Sequence, residues 1–551
     1  MNKLLQTVLI VLVPGFLFAQ GSLLLVGGGS EDYNGWSDAP YGWFVEQADS
    51  GKIINIDVDQ ASSWYPGYFG VLGADDASMN LRIGTRELAN DSAIYHQLIS
   101  AQGIFIEGGD QWDYVETWKG TLVEDAIHAV FESGGAIGGT SAGLALLGEV
   151  AFDAKYGTAY PDYAAYDPYY QRIHLEDDFL HIFPGVLTDT HFQERGRIGR
   201  LVPMLARRIV DHDEPEIIGI GVDAQSAFCV DADFVGTAYG GSVTLLYADN
   251  ISHLDVTPGE PTVFTNIHFD QLLSGAVYDL QSKTLLETGP YMEPVTPVSQ
   301  FVEYPEISLD GSDTATASYG TKVIENIYDN PDAWWQGNLE IGDGEDQVPH
   351  SIFMPKIWNL DPDVDDDYFP NRIVGGQFGA ANFPGYSVVY LDDGSTITIA
   401  ADGTMTVQNI AYVLDTKDVT YAGANGNMPG LINARLHFLR TGNTYNLQTG
   451  EPMVSVKKND PSLPESRLQV ENYPNPFNGL TTIEYSIPSS GFVQVTIFSI
   501  SGKHVKTLYQ GNQPAGTYSV SWNSESVSSG IYLIQVMNLY GKTIRKVSVI
   551  K

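Results

Sequence analysis

A single cysteine, Cys229, among 551 residues excludes an internal disulfide framework and a cysteine-ligated metal centre, so stability has to come from packing. Basic residues are scarce: 28 Lys plus Arg stand against 68 Asp plus Glu, for a formal net charge of −40. A surface of that sign repels phosphates and excludes nucleic acid as a partner. Long apolar runs are also missing. The longest, residues 4–18, is interrupted by Gln6, Thr7, Pro14 and Gly15 and is too short for a comfortable membrane span.

That run has another reading. Lys3 precedes it and Ala19-Gln20-Gly21-Ser22 follows with small residues at a cleavage point, the order of a secretory signal peptide over residues 1–19 rather than of a buried first strand. Beyond it the chain is too long for one core and is 43% hydrophobic and 17% charged, the composition of several folded units. From Glu471 onward six Lys plus Arg meet three Glu, so the acid lies in the preceding residues.

Apolar runs at Leu23-Leu24-Leu25-Val26, Ile53-Ile54-Asn55-Ile56 and Gly103-Ile104-Phe105-Ile106 alternate with helical spacing at residues 92–100 and 123–131. Strands that are apolar throughout predict an α/β domain over residues 20–290, with a mostly parallel sheet, helices on both faces, and sites in the glycine-rich loops at strand C-termini. From about Gly236 the runs shorten and alternate, at residues 242–247, 262–265 and 276–280. Residues 291–456 stay strand-like and loop-rich, with a hairpin expected from 387–391 through Asp392-Asp393-Gly394 to 396–400. Two pieces look alike: Ile267-His268-Phe269 with Ala276-Val277-Tyr278-Asp279-Leu280, and Leu436-His437-Phe438 with Asn443-Thr444-Tyr445-Asn446-Leu447, which reads as a duplicated β element. The acidic run 361–367, "DPDVDDD", lacks the Gly and Glu spacing of an EF-hand and reads as a solvated loop before it reads as a calcium site.

Proline and charge replace the pattern in residues 457–470, as in linkers. Short strands at residues 481–487, 492–498, 516–522 and 530–537 then predict a small β-sandwich over 471–551. The pieces "NYPNPFN", "TIEYSIP", "VTIFSISGKHVKTL", "AGTYSVSWN" and "SSGIYLIQV" resemble the C-terminal sorting domain read by type IX secretion. That resemblance implies the type IX machinery as a partner and a secreted or cell-surface location.

The chemistry concentrates around Gly139-Thr140-Ser141-Ala142-Gly143. A G-x-S-x-G pentapeptide in so glycine-rich a chain arises by chance roughly once in every few sequences of this length. Context raises it: Ala136-Ile137-Gly138 reads as a strand end and Leu144-Ala145-Leu146-Leu147 as a helix start, which puts Ser141 on a sharp elbow with its hydroxyl exposed. Oxyanion donors are expected from the backbone of Ala142 and of Gly109 in the Gly108-Gly109-Asp110-Gln111 loop.

Of eleven histidines, His191 has the distinctive setting: a strand ends at Asp189-Thr190-His191, and Arg195, Arg197, Arg200, Arg207 and Arg208 follow within fourteen positions. So many guanidinium groups in an acidic chain make either a carboxylate grip or a helix face paired with local acids.

In this order, "LLLVGGGS", "GIFIEGGDQ", "GGAIGGTSAG" and "PGVLTDTHFQERGRIGRLVPMLAR" resemble cyanophycinase and the related aspartyl dipeptidases, serine peptidases on a class I glutamine amidotransferase-like fold. The resemblance covers about residues 23–280. It implies a Ser141–His191 nucleophile pair, a pocket that includes Gln111, Asp189, Arg195, Arg197 and Arg200, no metal or cofactor, and cleavage of the β-linked aspartyl-arginine polymer cyanophycin. Arginines would bind the aspartyl carboxylate and acidic residues the substrate guanidinium. Two departures stand out: Thr190 replaces the usual glutamine before the histidine, and the later "GIDE" strand reads Gly221-Val222-Asp223-Ala224, without its glutamate. The acid that orients His191 is therefore expected at Asp223, with Glu149 and Asp153 as alternatives. An α-aspartyl exopeptidase and a non-catalytic surface binding protein are the competing functions, and the partners expected are a peptide or cyanophycin-like polymer, with room for a homodimer.

Overall fold

The computed structural model describes residues 21–60, 62–299, 301–328, 333–358, 372–454, 469–487, 491–499, 503–513, 516–524, 527–538 and 541–551. The expected signal peptide, the acidic run 361–367 and nearly all of the expected linker lie outside the described residues.

Five parallel strands, β1 (Ser22–Val26), β2 (Ile53–Asp57), β3 (Met79–Arg82), β4 (Gly103–Ile106) and β5 (Ala136–Thr140), lie in the order β1-β5-β4-β2-β3. Their apolar runs are explained by burial on both sides. Leu24, Val26 and Phe105 pack with Tyr41, Phe44, Tyr68 and Phe69 of α1 (Asp38–Gln47) and α2 (Trp64–Val71). Leu23, Leu25, Ile104 and Ile106 pack on the opposite face with α4 (Ser92–Leu98), α5 (Gln111–Trp118) and α6 (Leu122–Glu132), and the short α3 (Arg86–Ala89) precedes these.

After β5 the chain makes only a one-turn helix, α7 (Ala142–Ala145), before β6 (Gly148–Phe152). One turn is too short for a crossover back onto the same sheet, so β6 starts a second one. The parallel strands of residues 22–222 are thus divided between two sheets. In the second, β6 runs parallel to β8 (Phe183–Asp189) and β8 to β9 (Ile218–Val222), with β7 (Leu175–Glu176) on the edge. Helix α8 (Pro161–Tyr166) precedes β7, and α9 (Ile198–His212) joins β8 to β9.

The chain then alternates between the sheets. β10 (Ser226–Val230), β11 (Val235–Gly240), β15 (Val277–Asp279) and β16 (Thr284–Glu287) extend the first sheet in antiparallel fashion beyond β1, while β12 (Ser242–Tyr247) and β14 (Val263–Leu273) extend the second beyond β9, with β13 (His253–Asp255) pairing β14.

The extension contributes β17 (Met292–Pro294), β18 (Ile307–Asp310), a 3-10 turn (Thr314–Tyr319), β19 (Gly320–Ile324), β20 (Ile341–Asp343), β21 (Val348–Pro355), α10 (Ile373–Asn382), β22 (Ser387–Leu391), β23 (Thr396–Ile399), β24 (Thr404–Gln408), β25 (Ile410–Asp415), β26 (Tyr421–Asn425), β27 (Met428–Arg440), β28 (Thr444–Asn446) and β29 (Pro452–Met453). The second sheet continues through it as β14-β27-β25-β22-β21-β19-β20, and β18-β23-β24-β28-β29 form a separate sheet over a core that includes Phe353, Val389, Ile397, Met405 and Tyr445. The expected hairpin is corrected here. β22 pairs with β21 and β25, whereas β23 pairs with β18 and β24, so Asp392-Asp393-Gly394 carries the chain from one sheet to the other. Each strand finds a buried slot between two other strands, and a mutual pair would forfeit one of them.

The tail is a two-sheet unit. β30 (Gln469–Tyr473), β31 (Leu480–Ile487) and β34 (Gly516–Asn523) make one sheet, and β33 (His504–Gln513), β32 (Gly491–Ser499), β35 (Gly530–Asn538) and β36 (Gly541–Val549) the other. Ile483, Tyr485, Val495, Ile497, Trp522 and Ile534 fill the space between. The four strands read from the sequence are present, and β30, β33 and β36 join them.

Candidate active site

Ser141 occupies the corner between β5 and α7 at φ 50°, ψ −113°, a region side chains rarely adopt and one that persists only where the surroundings enforce it. Its amide donates to the Val26 carbonyl (3.0 Å) and the Gly143 amide to that of Glu107 (3.1 Å), which clamps the elbow to the ends of β1 and β4. The pentapeptide glycines are required by close approach: a Cβ on Gly139 would lie 2.4 Å from the Gly143 carbonyl carbon, and one on Gly143 2.2 Å from the Ile106 oxygen.

His191, just beyond β8, is likewise left-handed, at φ 43°. Its amide donates to the Gly27 carbonyl (2.8 Å), and its ring lies over Gly28, where a Cβ would fall 2.3 Å from Nε2. The glycine run after β1 therefore makes room for the imidazole. Ser141 Oγ and His191 Nε2 are 3.1 Å apart, and His191 Nδ1 is 2.8 Å from Glu194 Oε2. With Glu194 ionised, Nδ1 carries the ring proton and Nε2 is left as the acceptor for the serine hydroxyl.

Burial holds the His191 pKa below the usual histidine value. The hydrogen bond to Glu194 opposes that shift, while the Arg195 and Arg197 charges add to it. Burial pushes Glu194 upward, but the His191 hydrogen bond and the Arg195 and Arg197 charges outweigh it and keep the carboxyl below its ordinary range. Both groups are thus in the forms that general-base chemistry needs at neutral pH.

The three acids expected behind His191 are engaged elsewhere. Asp223, fully buried, accepts from the Gln193 amide (3.0 Å) and the Ser242 hydroxyl (2.5 Å), and burial lifts its pKa to about 7. Asp153 lies 2.7 Å from His174 Nδ1, and Glu149 accepts from the Gly185 amide. The residue sequence reasoning missed is Glu194. Its signal was present, since a carboxylate three positions after a histidine can reach back to it across one turn.

The arginine block divides. Arg200 makes a two-pronged pair with Asp189 (2.8 and 2.6 Å), and its guanidinium carbon lies 4.6 Å from the Phe152 ring centroid. Arg197 donates to Asp189 (3.3 Å) and to the Thr190 carbonyl and hydroxyl (2.9 and 2.7 Å). Arg200 is 1% exposed, Arg197 6% and Asp189 2%, and the two guanidinium charges outweigh burial to lower the Asp189 pKa. These three residues form an internal brace rather than an open pocket. Arg207 donates to the Ile173 carbonyl (3.2 Å) and stacks on Tyr169, while Arg208 pairs with Glu214. Arg195 differs: among the described residues its guanidinium has no ion-pair partner, and its buried Nε has no hydrogen-bond acceptor.

The Gly108-Gly109 loop adjoins the elbow, since a Cβ on Gly108 would lie 3.3 Å from Ser141 Cβ. Among the described residues no acceptor is engaged by the amides of Gly109 or Ala142. Gln111, half-buried, opens α5, whose first turn is capped by Asp110 accepting from the Trp112 amide (2.9 Å).

A strand-elbow-helix serine beside a carboxylate-backed histidine, on a parallel sheet, is the arrangement of a nucleophilic α/β enzyme. Comparison with known proteins narrows the class. Residues 72–233 match Peptidase family S51, and residues 471–551 match a secretion system C-terminal sorting domain. The chain is 29% identical over 231 residues to a cyanophycinase of Synechococcus elongatus, covering 41% of this chain and 66% of that protein, just under two thirds of its length. It is 27% identical to a cyanophycinase of Trichormus variabilis (40% and 70% covered) and 25% identical to one of Geminocystis herdmanii (48% and 94%). Solved structures with similarity include a peptidase from an acI-B1 Actinobacterium (19% identity, 48% of this chain and 98% of that one, TM-score 0.31) and a putative Peptidase E protein from Listeria monocytogenes EGD-e (17%, 39% and 95%, TM-score 0.26).

Proposed function

We propose that this protein is an exported serine peptidase of the cyanophycinase type, which hydrolyses β-aspartyl-arginine links through an acyl-enzyme on Ser141. The observation that carries the reading is the 3.1 Å contact between Ser141 Oγ and His191 Nε2, with Glu194 at 2.8 Å behind the imidazole.

His191 Nε2 takes the hydroxyl proton as Ser141 Oγ attacks the scissile carbonyl carbon, and the amides of Gly109 and Ala142 receive the developing oxyanion. Glu194 holds the ring in the productive tautomer and stabilises the imidazolium. The proton passes from His191 to the leaving amine. Water, deprotonated by the same nitrogen, then releases the aspartyl product and restores Ser141.

Arg195, the arginine without an ion-pair partner among the described residues, takes the substrate carboxylate, while Arg197 and Arg200 hold Asp189 and the loop that presents His191. The substrate guanidinium meets acids around the first turn of α5, where burial and the charges of Asp110, Asp59 and Glu116 raise the Asp113 pKa. Export follows from the C-terminal match, with type IX secretion as the route. Turnover of β-aspartyl-arginine polymer beside α-linked aspartyl dipeptides tests the reading. Preference for the β-link supports it, and cleavage of the α-dipeptides alone would replace it with an exopeptidase.

A further inference from the structure

The likeness between residues 267–280 and 436–447 is the visible edge of something larger. From β8 the chain runs through α9 and then β9 to β16; from β21 it runs through α10 and then β22 to β29. Every pairing recurs. β8 is parallel to β9 as β21 is to β22, and the antiparallel path β9-β12-β14 reappears as β22-β25-β27. β26 lines β27 as β13 lines β14, and β10-β11-β15-β16 reappears as β23-β24-β28-β29. The correspondence reaches upstream: β18 pairs β23 as β1 pairs β10, and β19 runs parallel to β21 as β6 does to β8.

Hydrogen bonds between the strands repeat at matching points. Gly27 donates to the Ser226 carbonyl (3.0 Å) and Gly311 to that of Ser395 (2.8 Å); Leu280 donates to Phe234 (3.1 Å) and Leu447 to Gly403 (2.9 Å); Ala276 donates to Leu273 and Asn443 to Arg440, both at 2.9 Å. The side chains follow, since Gly275-Ala276-Val277-Tyr278-Asp279-Leu280-Gln281-Ser282 aligns with Gly442-Asn443-Thr444-Tyr445-Asn446-Leu447-Gln448-Thr449.

The two pieces meet about a local twofold axis. β14 and β27 are antiparallel, and His268 sits opposite Arg435, its own counterpart in this alignment. Asn266 and Asn433, also counterparts, are both left-handed, at φ 54° and 68°. The Asn266 amide donates to His437 Nδ1 (3.2 Å) and the Asn433 amide to Asp270 Oδ1 (2.7 Å), so each copy makes the same reach into the other.

Among the described residues the second copy holds neither the serine elbow nor the histidine of the first. Where the His191 amide meets the Gly27 carbonyl, Lys356 meets Gly311 (3.1 Å), again left-handed at φ 50°. Where the first copy has β2 to β5 and the serine elbow, only the 3-10 turn of residues 314–319 separates β18 from β19.

We propose that residues 307–453 are a second, catalytically silent copy of this fold, acting as a built-in partner: its β27 occupies the edge of β14 on which another chain could otherwise add. An eleven-residue open edge invites strand addition from a second molecule, and the internal copy satisfies it. The copy also supports the working half. Trp358 lies against the first turn of α9, where a Cβ on Gly199 would come within 2.7 Å of its ring.

The test uses the full chain. Light scattering should give a monomer, and the double variant His268→Cys with Arg435→Cys should form its disulfide within one chain, because directly paired strand positions fall within disulfide reach. Covalent dimers from that pair, or a wild-type dimer lost when β14 is altered, would overturn the proposal. A serine-directed phosphonate should label one residue per chain and none in Ser141→Ala; a label retained in residues 307–453 of that variant would show the copy active. This arm alone rests on the serine reading above. Absence of any label in the wild type would remove that reading while an intrachain disulfide still upheld the internal partner.

Discussion

Glu194 Oε2 lies 2.8 Å from His191 Nδ1, one turn along the loop that leaves β8, so base and orienting acid come from a single stretch of chain. Glu194→Gln should preserve the fold and lower kcat by roughly a hundred- to ten-thousand-fold, since an amide at Nδ1 no longer holds the tautomer with a free Nε2. Steady-state kinetics would decide this. A loss of that size in Asp223→Asn, with Glu194→Gln unaffected, would return the orienting role to Asp223.

The acid limb of kcat/KM should have its midpoint below the ordinary histidine value of about 6.5, because burial disfavours the imidazolium. The neighbouring charges fix the direction of change in variants. Arg195→Ala removes a charge that lowers the His191 pKa and should move the midpoint up; Glu194→Gln removes a group that raises it and should move the midpoint down. A pH–rate series on the three proteins reads both signs.

Asp223 should shape stability rather than turnover. Its folded pKa of about 7 exceeds the ordinary 3.8, so the folded state holds this proton where the unfolded chain has released it. The stabilisation is present in full below about pH 4 and is lost as pH rises through about 7. Denaturant midpoints should show that fall in the wild type and a flatter profile in Asp223→Asn.

Arg200→Met should cost on the order of 3 kcal/mol, because Asp189 is left buried with the longer contact to Arg197 as its one remaining ion pair, beside the Thr190 amide. Arg195→Ala, with no ion pair to break among the described residues, should leave the melting temperature nearly unchanged and raise KM for β-aspartyl substrates. The reverse pattern would make Arg195 structural.

The contrast between these arginines marks how far the sequence could be read. Ser141 was legible because close approach forces glycine at Gly139 and Gly143, and glycines survive as a pattern in the string, while His191 stood out by the strand end and the arginines around it. Arg197 and Arg200 read either as a carboxylate grip or as charge paired with local acids, and a sequence does not display that Asp189 holds them both. Glu194 was passed over because an orienting acid was sought on a separate strand, while the left-handed turn at His191 brought a local one within reach. In the extension, Asp392-Asp393-Gly394 has hairpin chemistry, yet the same turn chemistry serves a change of sheet. The likeness of Ile267-His268-Phe269 to Leu436-His437-Phe438 pointed to the duplication but not its register, because hydrogen bonding aligns Leu273 with Arg440, two residues away from the pairing the shared letters propose.

The most direct test is hydrolysis of β-aspartyl-arginine polymer by the purified wild type and by Ser141→Ala, with melting curves run on both. Wild-type turnover that falls roughly a million-fold in Ser141→Ala at an unchanged melting temperature is the expected result. Equal turnover by the two proteins would contradict the acyl-enzyme on Ser141.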